Sequence, residues 1–462
     1  MPVPDNPRAR PAPLPRVIPA DIPHSALDQN ALRVISRLQR EQHEAYLVGG
    51  CVRDLLLGRR PKDYDVATSA TPRRVKSLFS NGRIIGRRFK LVHVTYGGQI
   101  VETATFRRAP QKSDEDGEDL LIVDDNEFGT AEEDARRRDF TINALFLNPY
   151  RHEILDYVDG LEDLEAGVLR TIGEPRVRMA EDPVRILRAV KFATRLGFRI
   201  EEGTWAAMIE LAPELARSAK PRVLEELLRL LRSGTALGAL RMMRACGALK
   251  VLLPEVDAFL GDRESADATV HERAESFWRL LEALDSDVHQ GNLPSTAACV
   301  AVLFLRGIER EANVDSRTHA SLGDPDPEHP SDKRLSAVAE RRLEEFAVDY
   351  RLSRRDANKA ARAISLQRRF TQPATKRFSP LMFARSEDFT EALELFRLRS
   401  LAWGQGWDVY EAWRERAREA GTATPEQLEQ EKKRKRRRGR RRRRGGNRSD
   451  DSGAPEGLSG DE

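Results

Sequence analysis

The segment from Tyr46 to Asp65, YLVGGCVRDLLLGRRPKDYD, constrains the fold of this chain more than any other. Tyr46, Leu47 and Val48 read as a buried strand, and Gly49-Gly50 gives a turn tight enough for backbone amides to approach an anion. Cys51 to Leu57 reads as a helix stopped by Gly58. Strand, glycine turn and helix in this order put a phosphate-sized anion at a helix start, with Arg53 beside it. Asp63 and Asp65 follow, in a run (Tyr64-Asp65-Val66-Ala67) that reads as the next strand. Residues two apart on a strand share a face, so both carboxylates point the same way. Like charges held that close repel unless a cation lies between them, and a hard divalent ion bridging carboxylates and substrate phosphates suits the position. Each half alone is weak, since most glycine pairs are plain turns and most Asp-x-Asp pairs are solvated loop ends. Joined within one short segment, they point to phosphoryl-transfer chemistry.

At 462 residues the chain can bury a sizeable core and is expected to hold two to four domains. Charged residues are 33% of it, and no apolar run approaches the roughly eighteen residues of a membrane helix, so no membrane partner is expected. The N-terminus carries prolines and arginines but no hydrophobic signal core, which argues against export. Cys51, Cys246 and Cys299 have neither zinc spacing nor a disulfide framework and suggest a reducing, cytoplasmic setting. Cys51 reads as a small buried residue, not a nucleophile. The net charge of +4 hides an asymmetry: thirteen Lys or Arg lie between Lys432 and Arg448 with no acid among them, and the rest of the chain is acidic overall.

Along the chain, residues 1–24 are proline-rich and read as a disordered segment. A helix is expected from Ser25, with Asp28 as its capping partner, and Leu27, Ala31, Ile35 and Leu38 on one face. Residues 45–107 alternate strands and helices, ending on a strand at 100–106, and the acidic stretch 108–128 reads as a loop over the site. From about Glu132 the pattern is helical, with amphipathic segments Val184–Leu196, Val223–Leu231 and Leu237–Leu249 and a turn-rich insertion at 309–332. The expected fold is an α+β catalytic head at 25–157, a helical neck at 158–240, a helical body at 241–418 and a disordered basic tail at 419–462.

The Gly-Gly-x-Val-Arg-Asp and Asp-x-Asp elements resemble the first motif of the nucleotidyltransferase superfamily, in the class II branch that holds bacterial poly(A) polymerases and CCA-adding tRNA enzymes. Five further segments carry the resemblance. Glu102 stands on the strand where the family keeps a third acid, the alternative being a solvent-facing edge residue. Arg137-Arg138-Asp139-Phe140-Thr141-Ile142-Asn143 resembles the motif that reads ribose and nucleotide. A guanidinium can fork onto phosphate or base edges, while an Asp accepts from a sugar hydroxyl. The upstream Glu132-Glu133-Asp134 reads as helix-end charge. Asp156 to Leu164 is similar to the hinge after the head, with Gly160 supplying the bend. Glu181-Asp182-Pro183-Val184-Arg185-Ile186-Leu187-Arg188 resembles the base-reading motif, with Asp182, Arg185 and Arg188 expected on one helix face. Arg222 to Leu227 fits the fifth motif, a helix of structural character.

The resemblance implies a nucleotidyltransferase fold and transfer of AMP from ATP to RNA 3′ ends, those of mRNA and other transcripts, with two Mg²⁺ ions as cofactors. Asp63, Asp65 and Glu102 are the implied metal ligands, and Asp63, Asp65 and Asp139 the implied catalytic acids. Gly49, Gly50 and Arg53 would cradle phosphates. Arg138 and Asn143 would bind the nucleotide and Asp182, Arg185 and Arg188 its base. The segments Arg16-Val17-Ile18-Pro19, Gly86 to Val94 and Lys376-Arg377-Phe378, with the basic tail, look more like the poly(A) polymerases. A basic run without aromatic residues attracts phosphate backbone without reading bases. CCA addition to tRNA is the alternative within the class, and a catalytically inactive RNA-binding relative the alternative outside it.

Overall fold

The computed structural model describes residues 15–86, 90–108, 127–318, 332–371 and 380–422. Residues 1–14, Arg87 to Phe89, most of the acidic stretch at 108–128, Lys376 to Phe378 and the basic tail lie outside the described residues. The chain divides into two compact units, Met1–Pro254 and Glu255–Glu462.

The first unit is built on an eight-stranded sheet: β1 (Arg16–Pro19), β2 (Ala45–Val48), β3 (Asp65–Thr68), β4 (Gly82–Ile85), β5 (Leu91–Tyr96), β6 (Gln99–Thr105), β7 (Leu145–Asn148) and β8 (Glu153–Asp156). Their order across the sheet is β1-β8-β7-β2-β3-β6-β5-β4. Only β3 and β6 run parallel, so the head is a mixed sheet of short strands. Neighbours flank β7 on both edges, and all four of its residues are buried. Its Phe146 packs with Val48, Ala67 and Phe106 of the sheet and with Ala131 and Ala135 of α4 (Ala131–Arg136). Small residues on α4 let the helix lie close to the aromatic layer.

Four local expectations change. The first helix, α1 (Gln29–Arg40), starts four residues after Ser25: Asp28 is itself the N-cap, its carboxylate accepting from Asn30 N and Ala31 N at 2.9 Å. Residues 16–19, expected within the disordered N-terminal segment, pair with β8 as an edge strand, a position where Pro19 needs no ladder N–H. The helix expected over Leu237–Leu249 breaks at Gly247, φ +84°, into Ala236–Ala245 and Ala248–Leu252. Residues 309–318, expected as part of an insertion, continue the helix Thr296–Thr318, since no glycine or proline falls there to stop it before Gly323.

The remaining helices of this unit that bear on the site are α2 (Gly50–Leu56), α3 (Pro72–Leu78), α5 (Gly160–Glu165), α6 (Pro175–Glu181), α7 (Val184–Leu196), α8 (Glu202–Leu211) and α9 (Lys220–Leu231). Helix α7 buries Ile186, Leu187, Val190 and Ala193 along one stripe and ends at Gly197 in the left-handed region. Gly160 has a role other than the bend expected of it. Asp159 takes the left-handed turn (φ +59°), and Asp156 receives Val158, Gly160 and Leu161 N–H. A Cβ on Gly160 would lie 2.3 Å from the Thr141 carbonyl oxygen. Gly160→Ala must therefore displace backbone next to Asn143, and a loss of about 2–4 kcal/mol is expected in denaturant unfolding. An unchanged midpoint would refute the contact.

The second unit is helical among the described residues, with long helices Ala268–His289, Thr296–Thr318, Asp332–Tyr350, Phe389–Trp403 and Trp407–Thr422. An aromatic cluster of Phe370, Phe383, Phe389, Phe396 and Trp413 forms one of its cores. Asp287 is wholly buried and takes both arms of Arg397, one at 2.6 Å. No described helix is long and apolar enough to cross a membrane.

Candidate active site

Sheet register assembles the carboxylates. Val48 lies between Phe146 and Asp65, and Glu102 lies opposite His93. Because Val66 pairs with Thr103 in parallel, one step back along both strands brings Asp65 beside Glu102 on the same face. Asp63 precedes β3 and is exposed, so only Asp65 of the expected strand pair is a strand residue. Burial, the neighbouring Glu102 charge and, more weakly, Asp63 push the Asp65 carboxyl up to about 6, while Arg138 opposes them. The three acids share one electrostatic field. They do not form a closed cage among the described residues. No three acidic, His or Cys side chains among the described residues converge tightly enough to enclose an ion, and Glu102 is 54% exposed with His93 Nε2 at 3.5 Å. Hard carboxylate oxygens left open to solvent nonetheless fit Mg²⁺, which takes one or two carboxylates and completes its shell with water and substrate phosphates.

Arg138 reaches this face across the glycine turn. Gly49 has φ +73°, and a Cβ there would lie 3.0 Å from an Arg138 terminal nitrogen, so glycine is required on both counts. The guanidinium donates to Asp134 Oδ2 and, at 3.1 Å, to the Asn143 carbonyl, and lies 5.3 Å from the Phe146 ring centre. Asp134 sits inside the fold at 2% exposure, joined also to Arg137 and to Arg107 N–H. Burial would raise its carboxyl, but Arg138 and Arg137 outweigh that and hold it below the usual range. Reading Asp134 as helix-end charge therefore misses the residue that orients Arg138, although its i, i+3 and i, i+4 spacing to two arginines was a signal. Glu133 does serve the helix end, in a capping box with Thr130.

A second network runs beneath the turn. Arg53, 3% exposed, donates to Asp54 Oδ1 and, at 2.6 Å, to Asn143 Oδ1. Its side chain is thus spent inside the fold, which corrects the expectation that it cradles phosphate. Asn143 Nδ2 donates to Asp139 Oδ1, and Arg188 forks onto Asp139 Oδ2 at 2.6 and 2.8 Å. Burial opposes ionisation of Asp139, but Arg188 and these hydrogen bonds prevail and lower its pKa. Asp139 is thereby held as a carboxylate. The Phe192 ring lies 5.1–5.6 Å from Arg53, Arg188 and Lys191, a hub that an apolar helix position does not announce.

The three expected base-reading groups do not gather on one helix face. Asp182 ends α6 and is held by Arg222 of α9 at 2.8 Å. Arg185 donates to the Arg178 carbonyl and to Glu181, while Arg188 turns to Asp139. Proline at 183 separates α6 from α7, so Asp182 is not on the helix that carries the arginines. Arg178 donates at 2.6 and 2.8 Å to the Arg137 and Arg138 carbonyls, fastening α6 to the turn that carries Asp139. Cys51 is buried, and burial with the Asp65 charge pushes its thiol up to about 12, which leaves it inert near neutral pH.

Residues 45–170 match the poly A polymerase head domain, and residues 197–260 match the probable RNA and SrmB-binding site of polymerase A. Residues 45–170 thus carry a poly A polymerase head domain. It is 42% identical over 255 residues to poly(A) polymerase I of Haemophilus influenzae, covering 54% of this chain and 56% of that one. The Salmonella typhi poly(A) polymerase I is 45% identical over 239 residues, 50% and 51% of the two chains. The chain thus spans little more than half the length of these relatives. A CCA-adding enzyme of Leuconostoc mesenteroides is 40% identical over 223 residues, 48% of this chain and 53% of that one. Among solved structures, the Bacillus stearothermophilus CCA-adding enzyme in complex with CTP aligns at TM-score 0.58 and 26% identity, covering 84% of this chain and 81% of that one. Proteins named as poly(A) polymerases and as CCA-adding enzymes are thus both similar to this chain.

Proposed function

We propose that this chain transfers AMP from ATP to the 3′ hydroxyl of RNA, releasing pyrophosphate. The observation that carries the reading is the sheet register that sets Asp65 beside Glu102, with Arg138 against the glycine turn at Gly49 and burial and Glu102 pushing the Asp65 carboxyl up to about 6. Such an arrangement costs stability and is typical of sites kept for chemistry. Asp63, Asp65 and Glu102 would hold Mg²⁺, which when bound supplies charge neutralisation for the triphosphate and a more acidic 3′ hydroxyl. The chain's own groups do the rest. Arg138, braced by Asp134, presents positive charge at the carboxylate face. Asp139, kept ionised by Arg188, accepts from a sugar hydroxyl, and Asn143 fixes its orientation. Gly49 and Gly50 let a phosphate approach the turn.

Choice of ATP is supported by the relatives named poly(A) polymerase I, 42% and 45% identical to this chain over the matched residues. The basic tail, outside the described residues, adds sequence-independent attraction for RNA backbone. In this reading residues 25–157 are the catalytic head, 158–240 the neck and 241–418 the body.

The deciding experiment incubates the purified full chain with Mg²⁺, an unstructured RNA and each nucleoside triphosphate separately, and resolves the products by gel. Long tails are expected with ATP and little extension with CTP. Addition of two C and one A to a tRNA lacking its end, followed by arrest, would replace this reading with CCA addition. No transfer at all, with RNA still bound, would leave an inactive RNA-binding relative.

A further inference from the structure

Along the loop that leads into β3 lies a cavity of about 860 Å³ that the site above does not use. It opens between the segment Asp21–Asn30, the end of α2 and the loop that leads into β3. Arg59, Arg60 and Lys62 line it, three cations within four residues, all exposed. No carboxylate among the described residues forms an ion pair with any of them, in a chain whose arginines are otherwise widely paired. The loop is nevertheless held. Gly58 closes α2 at φ +66°, Arg59 N–H donates to the Asp54 carbonyl at 2.8 Å, Pro61 is buried, and Tyr64 Oη donates to the Ala26 carbonyl at 2.5 Å. Two acids also line the cavity, Asp28, whose carboxylate caps α1, and Asp21, so three cations against two acids leave a formal charge of +1, but neither acid forms an ion pair with the three cations.

Unpaired cations on a fixed loop, beside a cavity of ligand-pocket size, describe a site for a polyanion. The geometry points to the phosphodiester backbone of the RNA strand just upstream of its 3′ end as the occupant, held by Arg59, Arg60 and Lys62. Lys62 and Tyr64 line this cavity whereas Asp63 and Asp65 do not, so the cluster is separate from the carboxylates. Lys62 is three residues from Asp65, at most about 10 Å of chain. A strand whose 3′ hydroxyl lies at Asp65 therefore crosses this loop with its next linkages. The inference rests on the proposed transfer reaction for the direction of the strand, but its binding arm can be read without it.

The test uses the full chain and the variant Arg59→Gln/Arg60→Gln/Lys62→Gln, with Arg60→Gln alone as a milder second variant. Binding of a fluorescent single-stranded RNA of about ten nucleotides is measured without ATP across a salt series. The triple variant is expected to lose about tenfold in affinity at low salt and to flatten the log–log salt slope by about 2, at roughly 0.7 per phosphate contact. The KM for RNA rises, while kcat at saturating RNA and the KM for ATP stay as they were. RNA with methylphosphonates at its last three linkages weakens the wild type but not the variant. A charge-keeping variant, Arg59→Lys/Arg60→Lys/Lys62→Arg, retains binding. Unchanged affinity and slope would overturn the inference, as would a raised KM for ATP with RNA binding intact, or a wild type with no measurable RNA affinity. A wild type that binds RNA by these criteria yet transfers nothing from ATP sinks the proposed reaction and leaves this site standing.

Discussion

Asp65→Asn is expected to abolish AMP transfer and, in metal-free buffer above pH 6, to make the protein more stable. The two effects share a cause. Losing one carboxylate charge from a Mg²⁺ site removes several kcal/mol of transition-state stabilisation, roughly a thousandfold or more in rate. The same carboxylate is a burden without metal, because burial, Glu102 and Asp63 push it up to about 6 from 3.8. A carboxyl with a raised folded pKa stabilises the protein fully below its unfolded value and loses that contribution as pH rises through about 6. Above that pH the Asn variant carries no such penalty, a difference of about 2 kcal/mol, or a few degrees in Tm. At pH 4 the two proteins should melt together. Adding Mg²⁺ should then raise the wild-type Tm and leave the variant's unchanged. Near-normal transfer, or a Tm difference independent of pH, would remove Asp65 from the metal site.

Asp134→Ala should cause the largest loss of stability from a residue that touches no substrate. The carboxylate is buried and accepts from Arg107 N–H, Arg137 and Arg138. Its removal strands two half-buried guanidinia, at a cost of about 3–5 kcal/mol. It also releases Arg138 toward Asp65, so transfer should fall even at temperatures where the variant is folded. Asp134→Asn keeps the shape and the Arg107 contact, and should lose less. The pH dependence has the opposite sign to that of Asp65. Arginine partners, outweighing burial, lower the folded pKa, so the stabilisation is present above the unfolded value near 4 and is lost as pH falls through the lower folded value. The gap between wild type and Asn variant should close in strong acid. Chemical denaturation at pH 7 and pH 2.5 measures it, and a gap that persists unchanged at the lower pH would remove the ion pairs as its cause.

Much of the head was legible because its signals are short-range. An apolar run before Gly49-Gly50 can only be read as a strand entering a turn, and β2 and α2 follow. Alternation placed Glu102 on the strand that register sets beside Asp65. A stripe of apolar residues at helical spacing defined α7 to the residue. Gly49-Gly50 reads as a tight turn, and the structure adds that Gly49 has φ +73° with Arg138 against it.

The sequence by itself determined which chemistry-bearing residues exist and which local element carries each one. It could not assign their partners, because an arginine's reach is long and its five donors accept any carboxylate that the fold brings near. Arg53 was read as a phosphate ligand from its place after the glycine turn, yet its partner Asn143 is 90 residues away. Arg188 was read as a base reader from its helix face, but Asp139, 49 residues upstream, takes it. Asp182 goes to Arg222, 40 residues downstream, because Pro183 takes it off the helix that carries the arginines. Asp134 reads as ordinary helix-end charge until the fold buries it between two arginines. Tertiary structure alone decided these pairings, since burial removes water as a competitor and leaves each charge to the nearest opposite charge the packed elements supply.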